Sequence, residues 1–132
     1  MAVTPHFGRL TLEEAQALLQ GLHAVNVVQL RRGIVPVGPA LFPDARGRRR
    51  LRYIRRDPNE RWLNLREIWR LGGGDCEDLA AAVSAELEVL HGIPAIPIIT
   101  RVRPGLAHAR VLRLDNGTIL DPSVTGGMRG RG

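Results

Sequence analysis

Apolar residues near the start of the chain recur three and four positions apart, at Leu12, Ala15, Leu18, Leu19 and Leu22. This is the period of a helix with one face on a core. Thr11, followed three residues later by Glu14, supplies the residue pair of a capping box, so a helix is predicted from about Leu12 to Leu22. Between Gly33 and Pro43 the periodicity is lost among Pro36, Gly38, Pro39 and Pro43, which predicts a loop or extended connector. Trp62, Leu65, Ile68 and Trp69 restore helical spacing, and the stretch from Asn59 to Leu71 is read as a short helix leading into Gly72-Gly73-Gly74. Beyond the glycines, Leu79, Val83, Leu87 and Leu90 predict a second long helix. Asp75 is its N-cap, and Gly92 is its C-terminal stop with Pro94 behind.

From Ile93 the texture changes to Val, Ile and Leu, with breaks at Arg103-Pro104-Gly105 and Asp115-Asn116-Gly117. Three short strands are predicted, over Ile96 to Val102, His108 to Leu114 and Thr118 to Leu120. Asn116-Gly117 is the signature of a two-residue type I′ hairpin, which makes the last two strands antiparallel neighbours. The fold class expected is α+β in one 132-residue domain. It is divided into an N-terminal helix and basic connector over 1–58, a core over 59–125 and a flexible tail over 126–132.

The single cysteine, Cys76, excludes an internal disulfide, and no CxxC or His-Cys cluster suggests zinc, so neither metal nor cofactor is expected. The position of the thiol is what gives it chemistry. In the first turn of a helix, unpaired N–H groups and the positive end of the dipole stabilise a thiolate. Three glycines before it are expected to let the backbone turn tightly and to leave the sulfur accessible. Gly74, Asp75 and the N–H groups around them form the expected substrate or oxyanion region, with Trp69 as a possible wall. Downstream, His108 opens the second strand and Asp121 closes the third, so nucleophile, base and orienting carboxylate follow in chain order. A strict two-residue hairpin would place Leu112 opposite Asp121 and leave His108 about 13 Å away along the strand, at ~3.3 Å per residue. A bulge or another register is needed to bring the pair together. Asp121-Pro122-Ser123 is also a good turn sequence in its own right. His6, His23 and His91 are assigned no role.

Four pieces in order, Gly74-Asp75-Cys76-Glu77-Asp78-Leu79-Ala80, Gly92-Ile93-Pro94-Ala95, His108-Ala109 and Leu120-Asp121-Pro122-Ser123, together resemble the transglutaminase-like superfamily of cysteine peptidases. The likeness is closest to its small bacterial and phage-borne members and covers roughly residues 60 to 125, with Trp62 and Trp69 ahead of the cysteine motif. It implies a papain-like core, a helix carrying Cys76 packed on an antiparallel sheet carrying His108 and Asp121. It also implies acyl transfer at amide bonds of a peptide or protein, with water giving hydrolysis or deamidation and an amine giving crosslinking. The chain departs from that pattern in having only three convincing strands, so the sheet is minimal or is completed by a partner.

All 19 basic residues are arginine and the net charge is +6. Arg46, Arg48, Arg49, Arg50, Arg52, Arg55 and Arg56 fall within eleven positions, a segment suited to an acidic protein partner. Tyr53 is the only aromatic inside it, which argues against a single-strand nucleic-acid binder. No apolar run approaches the ~20 residues of a membrane span, and Met1 to Phe7 lack the features of a signal peptide, so a cytoplasmic or phage-particle-associated protein is expected. The competing reading is a non-enzymatic, basic assembly or adaptor protein, one setting for which is a phage particle.

Overall fold

The computed structural model describes residues 10–35, 51–55, 61–103, 106–125 and 127. The proline-rich stretch 36–43, Arg46, Arg48, Arg49, Arg50 and Arg56 of the basic segment, His6, and the tail apart from Gly127 lie outside the described residues. The elements in chain order are α1 (Leu12–Arg31), β1 (Arg52–Tyr53), α2 (Leu65–Leu71), β2 (Gly73–Gly74), α3 (Cys76–His91), β3 (Ala95–Arg103), β4 (Leu106–Arg113), β5 (Ile119–Leu120) and α4 (Pro122–Thr125). The architecture is α+β, with α3 and α1 packed on an antiparallel sheet ordered β3-β4-β5.

Helix α1 starts with the predicted capping box, the Thr11 hydroxyl accepting from Glu14 N–H and the Glu14 carboxylate accepting from Thr11 N–H. It runs nine residues past the predicted end, because the buried face is Ala15, Leu19, Asn26, Val27, Gln29 and Leu30. That face includes two amides and is not the purely apolar stripe predicted, and Leu18 stands exposed beside it. The amides have work on α2. Asn26 Oδ1 accepts from Leu65 N–H at 2.7 Å and Gln29 Oε1 from Arg66 N–H at 2.9 Å, while Asn64 Oδ1 caps Glu67 N–H at 3.0 Å. Three otherwise unpaired donors of the first turn of α2 are thus satisfied by side chains. Replacing Asn26 with Ala should therefore cost about 1–3 kcal/mol. The expected reading is a lower urea midpoint at unchanged slope.

The helix expected over Asn59 to Leu71 begins only at Leu65, since Asn64 caps it. Trp62 precedes it and packs on the core. By contrast, α3 has the predicted limits, from the Asp75 cap to Gly92 in the left-handed region. It is the centre of the molecule. Every residue from Cys76 to Leu87 is buried, not only the predicted stripe, because Ala80, Ala81, Ala82 and Ala85 let neighbouring elements approach from several sides. His23 of α1 lies 2.7 Å from Ser84 Oγ and 3.0 Å from Glu88 Oε1, which makes it a polar tie between α1 and α3.

In the sheet, β3 is an edge strand, which accommodates Pro97 without a lost ladder bond. Gln16 of α1 covers the same edge, donating to Pro97 O and accepting from Ile99 N–H, each at 2.9 Å. The β4–β5 connection is not the predicted two-residue turn. Type I′ needs positive φ at both central residues, and Gly117 has it (76°) whereas Asn116 does not. Gly117 N–H instead bonds Arg113 O, and Asn116 Oδ1 accepts from Thr118 N–H, so four residues separate the Arg113–Thr118 bonded pair. Pairing becomes Val111 with Leu120 and Leu112 with Ile119. Among the described residues no helix is long and apolar enough to cross a membrane.

Candidate functional site

The register just described brings His108 and Asp121 together. Continued by one residue it sets Asp121 level with Arg110, two residues closer to His108 than a strict hairpin would, on the same pleat face. His108 Nε2 lies 3.0 Å from each Asp121 carboxylate oxygen, with the imidazole largely buried. The carboxylate fixes the ring proton on Nε2 and leaves Nδ1 with the lone pair, the tautomer a general base needs. Asp121 also accepts from Val124 N–H through the same carboxylate at 3.4 Å, and its carbonyl accepts from Thr125 N–H. Asp121 thus both starts a turn and contacts His108.

Cys76 opens α3 with its sulfur against β4. The Ala109 N–H hydrogen-bonds the sulfur, so the thiol touches the residue next to His108. Its side-chain bond runs to Glu77 Oε2 at 3.2 Å. Two expectations fail here. The sulfur is 1% exposed, not accessible, and its pKa is raised well above the ordinary 9.0, not lowered. Burial is the main cause, Glu77 and Asp75 add to it, and only the Ala109 N–H opposes. Burial likewise lifts Glu77 well above its ordinary 4.5, with Asp75 and Asp78 adding. Two adjacent buried acids do not ionise together, so the pair rests as a thiol donating to a carboxyl. The helix dipole, worth at most ~2 kcal/mol, is outweighed by removal from water. Nor is the first N–H of α3 open to an oxyanion, since Cys76 N–H donates to Asp75 Oδ1 at 3.0 Å.

Asp78 ties this corner together. Buried completely, it accepts from Asp75 N–H at 3.1 Å and from Leu63 N–H at 2.8 Å, joining the α3 cap to the segment before α2. The glycines make room for these contacts. A Cβ on Gly74 would stand 2.7 Å from Asp78 Cβ, and one on Gly73 would stand 1.9 Å from Arg52 O. Gly72, with φ 90°, ends α2. The triple glycine thus serves one left-handed stop and two close approaches, and does not bare the sulfur.

Tyr53, read from sequence only as an aromatic in a basic run, is the residue the pattern missed. Strand β1 pairs in parallel with β2, Arg52 with Gly73 and Tyr53 with Gly74, and Tyr53 O–H donates to the Asp75 carboxylate. Burial, Asp75 and Cys76 together raise its pKa above the ordinary 10.0. The available signal was the cluster of apolar residues Leu51, Tyr53 and Ile54 inside the arginine run. Trp69 lies elsewhere. With Ile34, Val35, Arg66 and Arg70 it lines an open cleft of about 580 Å³, which Cys76 and His108 do not line.

Asp75, Cys76 and Glu77 place side-chain ligand atoms within 4.8 Å of one another, the spacing of a metal-binding group. All three are buried, and the thiol proton is engaged with Glu77. Comparison with known proteins returned no matching family model, no matching curated protein and no matching solved structure.

Proposed function

We propose that the chain is a cysteine-dependent acyl-transfer enzyme of papain-like, transglutaminase-like type, acting on amide bonds of a peptide or protein through Cys76, His108 and Asp121. The observation that carries this reading is the His108–Asp121 pair at 3.0 Å on a strand whose next N–H meets the Cys76 sulfur. The resemblance of the four sequence pieces supports it independently.

In the reaction, Nδ1 of His108 takes the thiol proton as sulfur attacks the carbonyl carbon. The C–N bond breaks, the amine leaves with the proton returned from His108, and a thioester remains on Cys76. Water or an amine then attacks the thioester and restores the thiol. Asp121 holds the imidazole and stabilises its cation. The buried, protonated thiol makes the described conformation a resting one, and turnover requires the sulfur to reach Nδ1.

Acylation by p-nitrophenyl acetate, located by peptide mass mapping, tests this without knowledge of the substrate. Wild type should acylate Cys76, Cys76→Ala should not, and His108→Ala and Asp121→Asn should be slower by roughly 10²-fold or more. Equal rates in wild type and His108→Ala would remove the base from the mechanism. The burial of the thiol favours a second reading, a non-enzymatic assembly protein with an acidic partner at the Arg46–Arg56 segment. That reading predicts no acylation of the native chain at any pH up to 10.

A further inference from the structure

We propose that Tyr53 is a positioning residue of the Cys76 site, and that strand β1, which carries it, is the strap that keeps the sulfur closed off. Strand β1 is joined to the cysteine loop by a short parallel ladder. Arg52 N–H donates to Gly72 O at 3.1 Å and Ile54 N–H to Gly74 O at 2.8 Å. The fit is close enough that Gly73 has no room for a Cβ beneath Arg52 O. On its inner side the strand is anchored by Leu51, a member of the main core. Arg52 and Arg55 face solvent. Among the described residues the strap is held by Leu51 and the Tyr53 ring on the core, by two ladder bonds and by the Tyr53 hydroxyl on Asp75.

That last bond acts on the nucleophile through Asp75. The Asp75 carboxylate takes both the Tyr53 O–H and the Cys76 N–H, so the phenol, the cap and the first residue of α3 form one chain of contacts. Helix α4, which begins right after Asp121, packs on both β1 and α3. The segment holding Asp121 on His108 and the segment holding Tyr53 on Asp75 therefore meet each other through α4. Lifting β1 would take the Tyr53 hydroxyl off Asp75 and admit water to the sulfur, the change that turns the resting site into one able to attack a carbonyl. The catalytic meaning of the strap rests on the acyl-transfer reading, whereas the closure itself does not.

Thiol protection measures closure directly. Iodoacetamide alkylation of Cys76 is followed against pH in wild type, Tyr53→Phe and Gly73→Ala, with thermal melts alongside. Tyr53→Phe keeps the ring and removes one hydrogen bond to a charged group. Alkylation at pH 7.5 should then rise roughly ten-fold or more. Its pH midpoint should move down, because burial is the leading cause that holds the thiol up. Gly73→Ala should displace β1 and give a larger effect in the same direction. An unchanged rate and midpoint in Tyr53→Phe would overturn the proposal. So would a faster rate that merely tracks a lower melting temperature at an unchanged midpoint, since that is loss of global stability. Because no substrate is involved, failure of the acylation test leaves this measurement standing on its own.

Discussion

Asp78→Ala is expected to lose about 3–5 kcal/mol of folding stability, seen as a fall of roughly 12–20 °C in melting temperature for a chain of this size. The carboxylate serves two donors at once, the part-buried Leu63 N–H and the buried Asp75 N–H. Each orphaned donor costs about 1–3 kcal/mol, and loss of the helix cap adds ~1 kcal/mol. Against a total of about 5–15 kcal/mol for a domain this is a large fraction. Asp78→Asn keeps one acceptor and should fall between wild type and Ala. A loss below ~1 kcal/mol for Asp78→Ala would mean that the segment before α2 holds its place without this bridge.

Glu77→Gln should remove a loss of stability that wild type suffers as pH rises through the neutral range. Burial raises the folded pKa of Glu77 above its ordinary 4.5, so the unfolded chain gives up this proton more readily than the native one. The contribution of Glu77 is therefore fully present below pH ~4.5 and is lost as pH rises through the folded pKa, at about 1.4 kcal/mol per pH unit between the two. Glutamine does not titrate. The variant should match wild type near pH 4 and exceed it at pH 8, where melting temperatures would separate by several degrees. The alkylation midpoint of Cys76 should fall as well, since the second cause of its raised pKa is gone. It should stay above the ordinary value, because burial remains. Parallel stability curves for the two proteins would show that Glu77 ionises without cost where it lies.

Much of the architecture was legible from local chemistry. The caps at Thr11 and Asp75, the stop at Gly92 and the antiparallel succession after Ile93 are each decided by residues within a few positions, through hydrogen bonds that an isolated turn can form. Where the reading stopped short, the missing partner was remote. Helix α1 continues past Leu22 because Asn26 and Gln29 meet the start of α2, some 37 to 39 residues away. The β4–β5 register differs from the dipeptide rule because Asn116 turns its side chain to Thr118 and does not enter the left-handed region.

For the site, the residue types and their order were visible in Cys76, His108 and Asp121, and the change of register is what brings the last two into contact. The state of the thiol was not visible. Position at a helix start argues for a lowered pKa, while burial, together with the neighbouring Glu77 and Asp75, argues for a raised one. Removal from water is the larger energy. The sequence by itself thus determined the start of α1, the limits of α3, the strand succession after Ile93 and the identity of the candidate groups, because local hydrogen bonding and hydrophobic period specify these. Only the tertiary structure decided the register that pairs His108 with Asp121, the placing of Tyr53 on Asp75 and the closed, protonated state of Cys76. Each of those depends on desolvation and on contacts between segments far apart along the chain.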